Sequence, residues 1–413
     1  MSAPLVLVDP DREPFWPCAA TRPVADLLAG TRPFHARWAD RHGPVASVVC
    51  DGAVAEAPSR ISVPPPRNTW PGPEGGWRVA LSCWVPRAGW TFPGEPAEIR
   101  VGGSAVGWRI DEAGARELAD DPPASPAAAR ERLADLGLPP VEAEGVVCDT
   151  IWATMAANPE LLVTDAPDFE GEDAVAGVDP FALLGDPADL EVGAGVAIGP
   201  FVELDVRDGP IVLDRGVRID SHSRLRGPLY VGPDSRVLGG AIGEGTSIGP
   251  RCKVRGEMEQ TLVHGFSNKA HAGFVGHSVL GEWVNLGAGT ITSDLKNTYG
   301  PVRVERVDGR TDTGLIKVGA FLGDHVKTGI GTLLATGVRI GVGTHLFGGR
   351  GVSPRRLPDF SWHDGRERSG VEWEPFERSA RRAMARREES LGEAELAMLR
   401  ALHAGAGSAA VRR

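Results

Sequence analysis

From Val192 onward, one aliphatic residue returns about every six positions. Val192, Ile198 and Leu204 open the series, and Leu213, Ile219, Leu225 and Val231 continue it. After a one-residue slip it resumes at Ile242, Ile248 and Val254. Gly follows the aliphatic residue at Gly193, Gly199, Gly232, Gly243 and Gly249. The pairs Leu280-Gly281, Leu286-Gly287, Val318-Gly319, Ile330-Gly331 and Ile340-Gly341 carry the pattern further. A period of six matches neither an amphipathic helix nor a long alternating strand. It predicts short strands that each send one side chain to an axis and then turn where Gly tolerates unusual φ. Three such strands close a triangular coil, and coils stack at the strand spacing of about 4.8 Å. No coil buries its own core, so neighbours must stabilise one another. The fold expected over 190–350 is a left-handed parallel β-helix of hexapeptide repeats.

Asp294 to Ile316 breaks the period. Val302 to Val307 alternates and Asp308-Gly309 supplies a hairpin turn, which predicts a two-stranded arm inserted at 294–316. Beyond the repeats, 351–413 reads as a tail with a terminal helix over Glu374 to His403. Its Arg381-Arg382 and Arg386-Arg387 pairs read as a solvated helix face.

Residues 1–165 have a different character. Leu5 to Val8 suits a buried strand, as do Arg78 to Trp84 and Val146 to Cys148. Thr21 to Arg41 carries apolar residues at helical spacing, and Pro122 to Leu136, with Ser125 ahead of it, reads as a capped helix. This is a mixed α/β domain. The acidic, Pro-containing stretch at 166–189 reads as a linker to the repeats.

Composition narrows the function classes. A net charge of -11 excludes the basic face of a nucleic-acid binder. No run of 18 apolar residues exists, and the start has neither a basic n-region nor a long apolar stretch, so no membrane span or signal peptide is expected. The five cysteines, Cys18, Cys50, Cys83, Cys148 and Cys252, form no CxxC pair. They predict neither a zinc site nor a disulfide framework, and a cytoplasmic location.

The chemistry concentrates in Gly265 to Lys296, GFSNKAHAGFVGHSVLGEWVNLGAGTITSDLK. This stretch resembles the acetyltransferase active-site region of the bifunctional glucosamine-1-phosphate N-acetyltransferase / N-acetylglucosamine-1-phosphate uridyltransferase family. Its alternative bacterial branch, often labelled sugar nucleotidyltransferase, shows similar blocks. Here they stand as Asn268-Lys269-Ala270-His271, Gly281-Glu282-Trp283, Asp294 to Tyr299, and Gly323 to Ile330. Leu357 to Trp362 and Thr21 to Gly30 also resemble that branch.

The resemblance implies an acetyl-CoA-dependent N-acetyltransferase acting on an amino-sugar 1-phosphate, assembled as a homotrimer with sites at its interfaces. His271 matches the family's catalytic histidine, fourteen residues before Asn285. A sugar amine attacks a thioester only when neutral, so a base titrating near 7 must take its proton. Asn285 would hold the sugar or the base, and the Ala288 N–H would face the thioester oxygen as charge develops. Gly287 and Gly289 leave room for the cofactor, and Lys327 and Thr328 open the late coils that match the CoA-binding region. Lys269, Phe274, Asp294 and Arg255 are the candidate substrate contacts. Phe274 replaces the usual Tyr and Asp294 the usual Asn, while Glu257 and Glu259 occupy positions expected to be basic. No metal ligands are assigned in the repeats. His325, beside Asp324, reads as structural or near the acyl-CoA path, because strand neighbours point to opposite faces.

The resemblance also implies a nucleotidyltransferase-like, Rossmann-related amino-terminal domain. The Gly-rich loop that would cradle a triphosphate is replaced by Asp9-Pro10-Asp11-Arg12-Glu13-Pro14. That implies lost or altered activity, with Mg²⁺ needed only if the domain is active. Two other functions compete. One is a sugar-1-phosphate nucleotidyltransferase with the β-helix as trimerisation scaffold; the other is a non-catalytic, sugar-nucleotide-binding assembly protein.

Overall fold

The computed structural model describes residues 3–169, 182–347 and 351–410. Much of the expected linker, 170–181, and the end of the repeats at 348–350 lie outside the described residues. Backbone contacts divide the chain into two units, one of Met1–Phe15, Thr21–Leu27 and Arg32–Ala153, the other of Trp16–Ala20, Leu28–Thr31 and Thr154–Arg413.

The first unit is built on a six-stranded mixed sheet. Its strand order is Val45–Val49, Leu5–Val8, Trp77–Leu81, Ser104–Ile110, Ala97–Val101 and Pro140–Glu142. The first three are parallel, and Ser104–Ile110 runs antiparallel to both neighbours. All four residues of Leu5–Val8 are buried, which is why that strand reads as an unbroken apolar run. Pro126–Asp135 is helical, with the Ser125 hydroxyl accepting from the Ala128 N–H at its start. The helix expected over 21–41 is restricted to Phe34–His42. Ahead of it, the Asp9 carboxylate accepts the N–H groups of Val24 and Ala25, stopping a single turn of 3-10 helix at Val24–Asp26. Pro33 and Gly30, at φ 66°, keep the intervening chain non-helical.

Asp9 is fully buried and also accepts from the Ser82 hydroxyl at 2.6 Å. Burial raises its pKa to about 6 from 3.8, against the opposing pull of its hydrogen bonds. A carboxyl raised in the folded state stabilises the fold in its protonated form. This contribution is complete below about pH 4 and is lost as pH rises through about 6. Urea titrations followed by tryptophan fluorescence should show this unit losing stability between those limits, with the slope absent in Asp9→Asn.

The second unit is the left-handed parallel β-helix. One face is a nine-stranded sheet from Leu190–Val192 to Arg356–Leu357, every pair parallel. Leu213 pairs with Val231 and Val231 with Ile248, so one coil takes three strands of about six residues. The periodic residues Ile198, Leu204, Leu213, Ile219, Leu225, Val231, Ile242, Ile248 and Val254 join a single buried core. Leu280, Leu286 and Ile340 extend it. Ile330 departs from the expectation: it is 85% exposed. It occupies a turn, while Val326 and Leu334 supply the core of that coil.

Between Leu280 and its coil partner Leu322 the chain leaves the prism. Arg303–Arg306 and Gly309–Asp312 form an antiparallel hairpin there. The single terminal helix expected over 374–403 is two helices, Trp373–Ala385 and Glu393–Ala410. The break contains Glu388 at φ 60°, a left-handed conformation that no helix continues through.

Two short early segments pack into this second unit. Asn158 is completely buried; its Oδ1 accepts the Gly30 N–H at 2.7 Å, and its Nδ2 donates to Gly245 O and Ser247 Oγ. His264 Nδ1 accepts from the Leu28 N–H. Arg339, also fully buried, donates Nε to Trp16 O at 2.9 Å and lies over the Trp16 ring.

Candidate active site

Coil stacking brings three candidate positions to one prism corner. Gly289 N–H donates to Ala272 O at 3.0 Å, and Gly331 N–H to Ala288 O at 2.8 Å. Residues 271–272, 288–289 and 330–331 therefore stack on successive coils. At this corner the His271 imidazole is exposed and has no hydrogen-bond partner among the described residues. The Ala288 N–H, one coil on, has no acceptor among them either. Gly289 holds the turn at φ 71°. Ile330 completes the stack as an exposed aliphatic surface.

Lys269 points the other way. It is 2% exposed, and its ammonium donates to the carbonyls of Arg255 and His271. Burial lowers its pKa to about 8. Its head group thus fastens the backbone that carries His271. Arg255, in contrast, has an exposed side chain with no ion pair among the described residues.

Phe274 and Asp294 stand together on the adjoining face. A side chain at Gly276 would meet both, with Cβ 2.3 Å from Phe274 Cζ and 2.8 Å from Asp294 Oδ2. Asp294 is paired: its Oδ2 lies 2.8 Å from His277 Nδ1. Burial pushes the Asp294 carboxyl up, but the His277 hydrogen bond and the charges of His277 and Lys317 outweigh it and hold it below the usual carboxylate range. Glu259 lies 3.8 Å from His277 Nε2 and binds Lys317 at 3.0 Å. Glu259, His277 and Asp294 are each legible in the sequence, and they recur at coil spacing, but their linkage to one another and to Lys317 is not. His277→Ala strips a partly buried carboxylate of its donor, and the expected cost is about 1–2 kcal/mol, seen as a lower Tm at pH 7. Because the Asp294 pKa is depressed, that contribution exists above about pH 4 and fades as pH falls through the folded value.

Asn285 and Lys327 sit on the remaining face. Asn285 Oδ1 accepts from Asn268 Nδ2 at 2.9 Å, and Asn285 pairs in parallel register with both Asn268 and Lys327. Lys327 Nζ donates to Ser379 Oγ at 2.8 Å. Gly287 and Thr328 are engaged between coils: the Gly287 N–H donates to the Thr328 hydroxyl, which also meets Thr290 Oγ1. His325 is buried, stacked on Trp283 and edge-on to Phe376, while Asp324 Oδ1 accepts from the Glu282 N–H.

In the amino-terminal unit, Asp9 and Asp11 do not fit a Mg²⁺ site. Asp9 is taken by its three donors, and Asp11 pairs with Arg130 at 2.6 Å. Among the described residues no cluster of three or more His, Cys, Asp or Glu could hold a metal ion. No described helix is long and apolar enough to cross a membrane.

The second unit is thus a parallel β-helix of hexapeptide repeats, and this corner is its candidate site. No family model matches the chain. It is similar to the bifunctional protein GlmU of Nitrosospira multiformis, 25% identical over 191 residues, covering 40% of this chain and 42% of that protein. It is 34% identical over 97 residues to the bifunctional sugar-1-phosphate nucleotidylyltransferase/acetyltransferase of Sulfurisphaera tokodaii, covering 24% of each. GlmU of Xylella fastidiosa is 30% identical over 162 residues, covering 36% of this chain and 31% of that one. The chain thus spans less than half the length of these curated relatives. A solved UDP-N-acetylglucosamine acyltransferase aligns with 48% of this chain and 73% of its own, at 16% identity and a TM-score of 0.27.

Proposed function

We propose that the chain transfers the acetyl group of acetyl-CoA to the amine of an amino-sugar 1-phosphate. One observation carries this reading: among the described residues, an unpartnered imidazole, His271, stacks one coil from an unpartnered backbone N–H, Ala288. A base and an oxyanion donor are what aminolysis of a thioester requires. The amine nitrogen attacks the thioester carbonyl carbon while His271 takes its proton. The Ala288 N–H bonds the carbonyl oxygen as it gains charge. The C–S bond then breaks, and the thiolate leaves with the proton returned by His271.

Other contacts follow from the placement of the remaining residues. Arg255, without an ion pair among the described residues, suits the sugar phosphate. Lys269 acts as a positioning residue, holding the His271 carbonyl. Asp294 is compensated by His277, so it repels an anionic acceptor less than its charge implies, and Phe274 covers the sugar without a hydroxyl contact. Ile291, Leu333 and Val352 are exposed aliphatics in register on successive coils, and Ile330 joins them at the corner. Such a stripe is what a neighbouring prism would cover, which supports a homotrimer with sites at its interfaces. The name of the similar Sulfurisphaera tokodaii protein, a bifunctional sugar-1-phosphate nucleotidylyltransferase/acetyltransferase, agrees with acetyl transfer. We place no nucleotidyl transfer in the amino-terminal unit, since Asp9 and Asp11 are already engaged.

Purified protein with acetyl-CoA and glucosamine 1-phosphate should release free thiol in step with loss of the primary amine. Thiol release independent of the amino sugar would mean hydrolysis and would overturn the reading.

A further inference from the structure

Within the amino-terminal unit, Asp26, His35, Ser62 and Arg67 come together from three separate segments. Asp26 ends the short 3-10 turn that Asp9 stops, and His35 lies in the first turn of the Phe34–His42 helix. Ser62 sits in the loop that leads to Arg67. That loop is fixed at its far end, where the Val48 N–H donates to Pro66 O at 2.9 Å and the Asn68 N–H to Val48 O at 3.0 Å. Asp26 and His35 are buried, whereas Ser62 is partly exposed and Val63 beside it is 91% exposed.

The neighbours of the ring decide where its proton sits. His35 Nδ1 lies 3.0 Å from Ala25 O and 3.1 Å from Asp26 Oδ1, a carbonyl and a carboxylate oxygen that can only accept. Nδ1 therefore carries the proton, and Nε2 is left as an acceptor. Ser62 Oγ, 2.9 Å from Nε2, must then donate to it. Arg67 Nη2 binds the other Asp26 oxygen, Oδ2, while its Nη1 donates to Ala55 O and Ala57 O, so the carboxylate cannot swing away. Asp26 Oδ1 is buried and accepts no aligned hydrogen bond, although it faces the imidazole. An oxygen placed there stabilises the imidazolium formed when Nε2 takes a proton. Tying the loop to the helix would require neither that buried carboxylate nor a hydroxyl open to solvent. Serine, base and orienting acid in this relation are what activates a serine nucleophile. The N–H groups of Ser62 and Val63 have no acceptor among the described residues, and the N–H that follows a nucleophile is a common oxyanion donor.

We propose that Ser62 is the nucleophile of a second catalytic site, one that hydrolyses carboxylic esters with His35 as general base. Ser62 Oγ attacks the ester carbonyl carbon while its proton passes to His35 Nε2. The Val63 N–H meets the carbonyl oxygen as it gains charge, and the exposed Val63 side chain gives the acyl group an apolar contact. The bond to the alcohol oxygen breaks, and the alcohol leaves with the proton from His35. Water then attacks the acyl-Ser62 carbonyl and gives its proton to His35, which returns it to Oγ as the carboxylic acid leaves. Asp26 and Arg67 are positioning residues. This site does not depend on acyl transfer at His271.

Incubating the whole chain with a fluorophosphonate reagent and mapping the labelled peptide by mass spectrometry tests it. The label should fall on Ser62 and be absent from Ser62→Ala, whose Tm should stay close to wild type because only one partly exposed hydrogen bond is lost. With p-nitrophenyl acetate, wild type should release a burst of p-nitrophenol as acyl-Ser62 accumulates, and Ser62→Ala should show none. Asp26→Asn should lower kcat for this ester by about 10²-fold or more with KM unchanged, a split that a merely structural role would not produce. No label on Ser62, or equal labelling of wild type and Ser62→Ala, overturns the proposal and leaves Ser62 as a tie between loop and helix.

Discussion

His271→Ala is expected to slow acyl transfer by about 10²–10⁴-fold, the usual worth of a positioned general base. Its Tm should stay at the wild-type value. The two halves of this prediction belong together. The His271 side chain is exposed and bonds to nothing among the described residues, so the fold gains nothing from it. Its loss should fall on kcat more than on KM, because proton removal belongs to the transition state. Raising the pH should recover part of the rate, since a higher fraction of the acceptor amine is then neutral without help. His277→Ala should behave in the opposite sense, with Tm falling as its pairing with Asp294 is lost. Equal thiol release by wild type and His271→Ala would remove His271 from the mechanism.

Gly249→Ala should destabilise the prism severely, although it adds a single methyl group. A Cβ at Gly249 would stand 1.9 Å from His264 O and 2.6 Å from the adjoining carbonyl carbon, both backbone atoms of the next coil. The Gly249 N–H donates to Val263 O at 2.7 Å, one of the bonds that sets the coil spacing. Relieving the clash means moving two coils apart and stretching that bond. The expected cost is about 3 kcal/mol or more, a fall of roughly 10 °C in Tm. Gly243→Ala is the control: its Cβ would stand 3.1 Å from Met258 O, so a small shift accommodates it, at under about 1 kcal/mol. Thermal denaturation that finds the two variants alike would mean that the coils are not packed at this spacing.

The repeats were legible because a triangular coil imposes its own pattern: one inward aliphatic per strand, recurring from Ile198 to Val254 through a single one-residue slip before Ile242. Leu5–Val8 and the Ser125 cap were legible for equally local reasons, an all-buried strand and a hydroxyl placed to accept an orphan N–H. Ile330 misled because an aliphatic-Gly pair reads the same in a strand and at a corner. The helical spacing of 21–41 misled because Asp9, distant in sequence, captures the N–H groups of Val24 and Ala25. Within the site, the corner positions of His271 and Ala288 follow from coil length once the register is known. The inward turn of Lys269 had no signal, since an Asn-Lys pair on a strand does not say which residue faces out. Arg382, Arg386 and Arg387 read as part of a solvated helix face because Lys253 and Lys327, which line one cleft with them, come from coils far away along the chain.

The fate of a labelled acetyl group tests the central claim most directly. Protein incubated with carbon-13 acetyl-CoA and glucosamine 1-phosphate, then resolved by mass spectrometry, should place the label in an amide on the sugar nitrogen with the phosphate retained. Label found solely in free acetate, or left on coenzyme A while His271 remains intact, would contradict it.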